Sequence, residues 1–325
     1  MSKILNTYNL SIGYNNNVVL NDLNISLKLG ELACLVGLNG TGKSTLIYTL
    51  SKLLEKIEGK ILINEVEIEN IEQYDLSKLL SLVLTNQSVP SNYTVFDIIS
   101  LGRFPHTNWL GFLTKNDKEI IDKAIELTGL QNYSNTQIYK LSDGFKQKVM
   151  IARAIAQDTK IILLDEPTAH LDLYNRIEII NMLRNISHDL NKAILLSTHD
   201  LLTALDIADK LLIINNNKIY DSAPEDHVLN NNIEEIFKNT NVNFNKETGN
   251  FKFIKNTNKT VCVNGDGIAK LWTLKALNRV GYSEDNNSNF VVNIINNNNS
   301  FKWKFSLNNT FYTANNIYEL TEIIK

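Results

Sequence analysis

The chain has two cysteines in 325 residues, Cys34 and Cys262. They lie far apart with no metal-ligand spacing and read as buried thiols of a reducing compartment. Excess positive charge is also missing. With 32 Lys and Arg against 35 Asp and Glu, the net charge is −3, which leaves no footprint for nucleic acid. No apolar run approaches the length of a membrane span. The N-terminal stretch lacks a basic segment followed by an apolar one, so no signal peptide is expected. These absences point to a cytosolic protein, or one held at a membrane by a partner. What is abundant is asparagine, with runs at Asn15–Asn17, Asn215–Asn217 and Asn296–Asn299 that read as compositional bias in turns. The length leaves room for one large domain and a small one.

The chain is organised around Gly37-Leu38-Asn39-Gly40-Thr41-Gly42-Lys43-Ser44-Thr45, which fits the phosphate-loop pattern G-x-x-x-x-G-K-[ST]. The apolar run Leu32 to Val36 before it reads as a buried strand. Thr45 to Leu54 after it has helical apolar spacing. Strand, glycine loop and helix are the context the motif requires. Glycines let backbone N–H groups curl around an anion, and the helix N-terminus adds partial positive charge beneath it. In this pattern Lys43 reaches the β- and γ-phosphates and Ser44 is an Mg²⁺ ligand.

Around that loop the periodicities predict the following order. Residues 3–30 form antiparallel sheet, and 60–71 a further strand pair. Leu79 to Leu84 is apolar and ends at Thr85-Asn86-Gln87. Residues 92–140 are mostly helical, with Gly129 as a stop signal. Ser142 to Gln157 is a helix with Ser142 or Asp143 at its start. Lys160 to Asp165 is a buried strand, Arg176 to Leu190 a helix, and Ala193 to Ser197 a strand leading to Thr198-His199-Asp200. A helix, a strand over Lys210 to Ile214 and an Asn turn follow within 203–220. Residues 239–250 are polar and read as a linker. Beyond them come strands at Thr260–Val263, Phe290–Ile295 and 301–305, with helices at Ile268–Val280 and Ile317–Ile324.

A phosphate loop alone says only that a nucleotide is bound. Ile161-Ile162-Leu163-Leu164-Asp165-Glu166-Pro167 delivers two carboxylates at a strand end. Asp165 suits an Mg²⁺ ligand, and Glu166 suits a general base for attacking water.

Leu141-Ser142-Asp143-Gly144-Phe145 resembles the L-S-G-G-Q signature of ATP-binding-cassette (ABC) ATPases. Gln87 resembles the Q-loop glutamine, Ala169-His170-Leu171-Asp172 the D-loop, and His199 the switch histidine. Tyr14, upstream at the family's spacing, resembles the aromatic that stacks on adenine. The resemblance covers residues 3 to about 225 and implies an α/β P-loop NTPase of the ABC class. That fold has an antiparallel β subdomain and a helical subdomain at about 92–157. The ATP-binding domain is expected over 1–238 and a small C-terminal α/β domain over 251–325.

The resemblance implies ATP and Mg²⁺ as cofactors. Asn39, Gly40, Thr41, Gly42, Lys43, Ser44 and Thr45 would cradle the phosphates. Ser44, Gln87 and Asp165 would hold the metal, and Glu166, His199 and Gln87 would act on the attacking water. Ser142 and Gly144 would bind the γ-phosphate of ATP held by a second copy, and Asp172 would act across the interface. A head-to-tail dimer with two sandwiched ATP molecules is therefore expected. Two departures stand out: Asp143 replaces the second signature glycine, and Phe145 replaces a polar residue. Asp143 is repulsive to triphosphate unless it points away or caps its own helix. His106, His170, His188 and His227 show no ligand spacing and read as structural.

Residues 93–111, with Leu101-Gly102-Arg103-Phe104-Pro105-His106 and Trp109, resemble the corresponding stretch of importers of iron-siderophore, haem and vitamin B12 complexes. There it would dock the coupling helix of a membrane permease, with Phe104 and Trp109 suited to such a groove. This implies an ATPase at the cytoplasmic face of the membrane, peripheral, working with a permease and indirectly with a substrate-binding protein. The alternative is a soluble ABC ATPase that uses ATP-driven dimerisation as a switch. In the C-terminal unit no family motif is read residue by residue. Its Gly265-Asp266-Gly267 turn is too short a glycine signal to define a ligand site.

Overall fold

The structure is a computed structural model describing residues 3–15, 17–85, 92–238, 240–253, 259–297, 300–307 and 310–325. The chain divides into two compact units, residues 1–236 with 246–250, and residues 237–245 with 251–325.

The first unit opens on antiparallel sheet. Strands β1 (Lys3–Tyr14), β2 (Asn17–Leu23) and β3 (Ser26–Lys28) precede the apolar strand β4 (Leu32–Val36) and helix α1 (Lys43–Leu50). Then come β5 (Glu58–Ile63), β6 (Val66–Glu67), α2 (Gln73–Leu79) and β7 (Leu80–Val83). The order β2-β1-β5-β6, with β3 also on β1, makes one sheet. A 3₁₀ turn at Ile68–Asn70 replaces the end of the second strand expected within 60–71.

Helices α3 (Val95–Ser100), α4 (Lys115–Leu127) and α5 (Asp143–Ala156) form the helical part, joined by 3₁₀ turns. Thr94 and Asp97 form a capping box on α3, as Thr114 and Asp117 do on α4. After α5 follow β8 (Ile161–Leu164), α6 (Leu173–Asp189), β9 (Ala193–Thr198), α7 (Leu201–Ile207), β10 (Lys210–Asn215) and β11 (Lys218–Ser222). Strand β11 occupies residues expected only as an Asn turn. It pairs antiparallel with β10 across Asn216 and Asn217, both at positive φ. Helices α8 (Pro224–Leu229) and α9 (Asn232–Phe237) end this stretch.

The second sheet has the order β11-β10-β4-β9-β8-β7, and its five strands from β10 to β7 are parallel. Strands β4, β8 and β9 are buried along their whole length, as expected for a parallel sheet covered on both faces. Their C-terminal ends therefore lie side by side, which places Gly37, Asp165 and His199 together at one edge. Cys34 sits within β4, and burial pushes its thiol up to about 12, leaving it inert.

Arg103, within the segment expected to dock a permease, is buried. Its Nε donates to Asp117 Oδ1 at 2.8 Å and its Nη1 to Ala156 O at 2.9 Å. A Cβ on Gly102 would lie 2.2 Å from Arg153 O, so this turn presses directly on α5. Burial alone would raise the Asp117 carboxyl. The Thr114 hydroxyl and amide, with Arg103, hold it below its ordinary value of 3.8. A depressed folded pKa stabilises above the ordinary value, and that stability is lost as pH falls through the folded one. Arg103→Ala is expected to destabilise the chain by about 3–5 kcal/mol, because it strands a buried carboxylate. An unchanged urea midpoint at pH 7 would contradict this.

In the second unit, residues expected as a linker contribute β12 (Val242–Asn245), which pairs with β13 (Asn250–Phe253). Phe251 packs its ring on Phe237 at 4.7 Å and on Phe244 at 5.2 Å. Strand β14 (Lys259–Asn264), helix α10 (Gly267–Arg279), β15 (Tyr282–Glu284), β16 (Val291–Asn297), β17 (Ser300–Leu307), β18 (Thr310–Ala314) and helix α11 (Ile317–Ile324) follow. The sheet order is β15-β14-β16-β17-β18. Val261, Val263, Val292, Trp303 and Phe305 face Leu277, Leu320 and Ile324 in its core. Trp303 Nε1 donates to Thr273 Oγ1 at 2.7 Å, satisfying the one polar atom of a buried indole.

Candidate functional site

Strand β4 ends at Val36, and the chain turns back through Gly40 and Gly42 at φ 77° and 101°. Only glycine adopts these values without strain. At Gly42 a Cβ would also lie 2.7 Å from Val19 Cγ1. Gly42 is the N-cap of α1 and supplies no side chain to the helix end, so the first-turn N–H groups face the loop. Lys43 is buried, and its Nζ donates to Gly37 O at 2.9 Å and Leu38 O at 3.1 Å. Burial pulls the Lys43 ammonium below its ordinary pKa, and the charges of Glu166 and Asp165 act against that shift. Asn39 and Gly40 lie at the exposed crest of the loop, and Thr41 Oγ1 donates to Leu38 O at 2.8 Å.

Asp165 leaves the end of β8 and is buried. Its Oδ1 accepts from Ser44 Oγ at 2.9 Å and Ser197 Oγ at 2.8 Å. Its Oδ2 accepts from Tyr48 Oη at 3.3 Å, and burial followed by the charge of Asp165 raises the Tyr48 phenol. Thr85 Oγ1, just past β7, donates to the Asp165 carbonyl at 2.6 Å. Glu166 follows with a left-handed backbone, φ 44°, and its N–H donates to Ser197 Oγ at 2.8 Å. His199, one residue past β9 and half exposed, places Nδ1 3.8 Å from Glu166 Oε2.

Tyr14 ends β1 half exposed, and Thr45 Oγ1 donates to its hydroxyl at 3.4 Å. Its ring is thus at the rim of the phosphate loop. Gln87 lies outside the described residues.

Ser142, Gly144 and Asp172 form a second cluster. Among the described residues, no hydrogen bond or ion pair joins them to the phosphate loop. Ser142 is the N-cap of α5, accepting from Phe145 N at 3.5 Å. A Cβ on Gly144 would lie 2.9 Å from the amide of Asn175, so glycine lets α5 approach α6 here. Asn175 in turn donates from N and Nδ2 to the Asp172 carboxylate at 2.9 and 2.8 Å. These bonds hold the Asp172 carboxyl below its ordinary value. The two departures from the signature have local explanations. Asp143 is exposed and ion-paired with Lys146 at 3.1 Å. Phe145 packs on Tyr133 with ring centroids 4.5 Å apart and on Lys148 at 5.2 Å.

Ser197, Tyr48, Asn175 and Arg176 were not singled out by sequence. Arg176 donates to Asp200 Oδ2 at 3.0 Å and Leu171 O at 3.4 Å, tying the residue before Asp172 to the residue after His199. Three of the remaining histidines are hydrogen-bonded within the fold. His227 is fully buried between Leu211 O and Asn232, and burial lowers its pKa. His106 meets Gln157 O at 2.9 Å and His188 meets Asp209 at 2.8 Å.

The donor set near the loop, Ser44 and Asp165, is made of hard oxygen atoms, which suits Mg²⁺. Among the described residues no group of three or more His, Cys, Asp or Glu side chains is placed to hold a metal ion. A metal here would need phosphate oxygens to complete its shell, as Mg²⁺ commonly does. Among the same residues no helix is long and apolar enough to cross a membrane.

A strand-loop-helix phosphate cradle with an acid pair and a histidine on adjacent parallel strands defines an ATP-binding P-loop ATPase. Residues 20–169 match the ABC transporter family, and residues 258–325 match the iron ABC transporter C-terminal domain. An uncharacterised ABC transporter ATP-binding protein of Methanocaldococcus jannaschii is 37% identical over 270 residues, covering 81% of this chain and 93% of its own. The iron(3+)-hydroxamate import ATP-binding protein FhuC of Bacillus subtilis is 39% identical over 197 residues, covering 61% of this chain and 73% of its own. A solved structure described as a metal-chelate type ABC transporter in an inward-facing conformation superposes with TM-score 0.65 at 28% identity, covering 77% of this chain and 96% of that one. The chain belongs to the ATP-hydrolysing, ATP-binding proteins of the ABC transporter family.

Proposed function

We propose that this chain energises import of an iron complex (siderophore or haem) or a corrinoid through a membrane permease. The observation that carries this reading is the presence, in one chain, of an ABC ATPase and a match to the iron ABC transporter C-terminal domain over residues 258–325. The likeness to FhuC, an iron(3+)-hydroxamate import protein, points the same way and favours import over a soluble dimerisation switch.

In this reading Tyr14 stacks on adenine, and Asn39 to Thr45 hold the phosphates through backbone N–H groups and Lys43. Ser44 and Asp165 would hold Mg²⁺, with Gln87. Bound there, the ion would neutralise charge on the phosphate oxygens. Glu166 takes the proton of the attacking water, and His199, close to the Glu166 carboxylate, orients that water. Ser142 and the Gly144 amide complete the site of a second copy, and Asp172 acts at the same interface. Leu173 and Tyr174, at the start of α6, are 66% and 75% exposed beside Asp172, which suits burial against that copy. Binding of ATP closes the dimer and hydrolysis releases it. The domains are proposed as 1–238 and 251–325. The protein would sit at the cytoplasmic face of the membrane, peripheral, and a substrate-binding protein would meet it only through the permease.

The docking surface is proposed at the apolar side chains of residues 101–112. Phe104 and Trp109 are 75% and 91% exposed, with Leu110 and Phe112 beside them in sequence and also exposed. Exposed apolar side chains grouped in this way suit a docking surface. Affinity purification from membranes is expected to bring down a polytopic permease. The paired substitution Phe104→Ser and Trp109→Ser is expected to abolish that recovery while ATP is still bound. Recovery with ribosomes or DNA and no membrane protein would overturn the import reading.

A further inference from the structure

Ser197 is fully buried on β9, the strand that separates the phosphate-loop strand β4 from the acid-bearing strand β8. A buried serine commonly spends its hydroxyl on nearby backbone, as Ser187 does on Lys192 O at 3.0 Å. Ser197 instead makes both of its bonds to the acid pair. Its Oγ donates to Asp165 Oδ1 at 2.8 Å and accepts the Glu166 N–H at 2.8 Å.

The direction of these bonds is dictated by chemistry. An ionised carboxylate only accepts and a backbone N–H only donates, so the single hydroxyl proton must point to Asp165 and a lone pair to Glu166. The hydroxyl rotor is locked. Glu166 itself has φ 44°, in the left-handed region that a residue with a side chain holds only when its surroundings enforce it. Its N–H is anchored through Ser197 to the carboxylate one residue earlier. The Glu166 side chain then reaches toward His199, at 3.8 Å.

We propose that Ser197 is a positioning residue for hydrolysis: it clamps the left-handed backbone of Glu166 and so aims the Glu166 carboxylate at the attacking water. The proposal rests on the reading of Glu166 as the general base. Among the described residues no hydrogen bond joins Ser197 directly to the phosphate loop; it meets Ser44 only through Asp165 Oδ1, so the clamp acts chiefly on the chemical step. Without it the part-buried Glu166 N–H loses its partner, and the turn relaxes.

The test uses the full chain. Steady-state kcat and KM for ATP hydrolysis are measured for Ser197→Ala and Glu166→Gln, with the Kd of a fluorescent ATP analogue in EDTA as a readout independent of turnover. The expected result for Ser197→Ala is a kcat about 10²-fold lower, the scale of a misplaced reacting group, with KM and Kd within about two-fold. Glu166→Gln should be inactive. Parental kcat in Ser197→Ala beside an inactive Glu166→Gln overturns the clamp and leaves the base reading intact. Parental turnover in Glu166→Gln overturns the base reading and the clamp with it. An equal loss of kcat and of ATP affinity in Ser197→Ala shows a merely structural role and also overturns the proposal. If Ser197→Ala does not fold, Ser197→Cys, which keeps the volume with a weaker donor, takes its place. A fall in its kcat of about ten-fold or more at unchanged Kd supports the clamp, since distorted positioning alone reaches that scale, and parental kcat overturns it.

Discussion

Replacing Glu166 by glutamine is expected to leave ATP bound and stop its hydrolysis. The amide keeps the shape of the side chain and loses the ability to take a proton. General-base catalysis contributes about 10²–10⁴-fold in rate, so turnover should fall by at least that range. The neighbouring bonds argue that the loss is confined to chemistry. The Glu166 N–H bonds to Ser197 through the backbone, and Asp165 keeps its hydroxyl donors Ser44, Ser197 and Tyr48. If ATP holds two copies together and hydrolysis parts them, the variant should accumulate as an ATP-bound dimer. Size-exclusion chromatography with ATP and Mg²⁺ would show it. Hydrolysis at the parental rate would remove Glu166 from the reaction.

The second large effect is expected at Lys43. Its ammonium is buried in the loop and donates to Gly37 and Leu38 carbonyls. In the proposed role this donor turns to the phosphates of ATP; a bond from a charged donor is worth about 1.5–3 kcal/mol, so Lys43→Ala should weaken ATP binding by roughly 10- to 100-fold. The pKa direction adds a contrast. Burial lowers the folded-state value, so holding this ammonium charged at neutral pH opposes folding, and the cost fades only as pH rises through the lowered value. Lys43→Ala should therefore lose the rise in melting temperature on adding ATP, with little loss in the nucleotide-free midpoint. Unchanged ATP affinity would refute the loop assignment.

The readable part of this molecule was contiguous chemistry. The phosphate loop is nine neighbouring residues between a strand and a helix, and α1 begins at Lys43 within it. Asp165 and Glu166 were legible because they follow the short, wholly apolar strand β8, and His199 because it closely follows the apolar run Ala193 to Leu196 of β9. Ser197 and Tyr48 obey the opposite rule. One hydroxyl inside a buried strand and one phenol inside a largely buried helix look like ordinary packing. Their approach to Asp165 depends on β9 lying between β4 and β8, an order that local sequence does not encode.

Segment 239–250 misled for a related reason. Its polarity reads as linker, and the three aromatic residues Phe237, Phe244 and Phe251 that pack together are spread across and beyond it. The short strands β15 and β18 lie at sheet edges, where few apolar residues are needed and periodicity is weak. Arg103 shows a motif residue serving the scaffold. It belongs to the stretch that resembles an importer's docking segment, yet its charge is spent on Asp117 and Ala156.

The turn at residues 101–106 is fastened to one end of α5 three times. Gly102 abuts Arg153 O, Arg103 donates to Ala156 O, and His106 meets Gln157 O. Ser142 caps the opposite end of the same 14-residue helix. At 1.5 Å per residue that helix is a rod about 21 Å long. Phe104, inside the fastened turn, and Ser142 therefore sit at opposite ends of one rigid element, so whatever displaces α5 as a body displaces both.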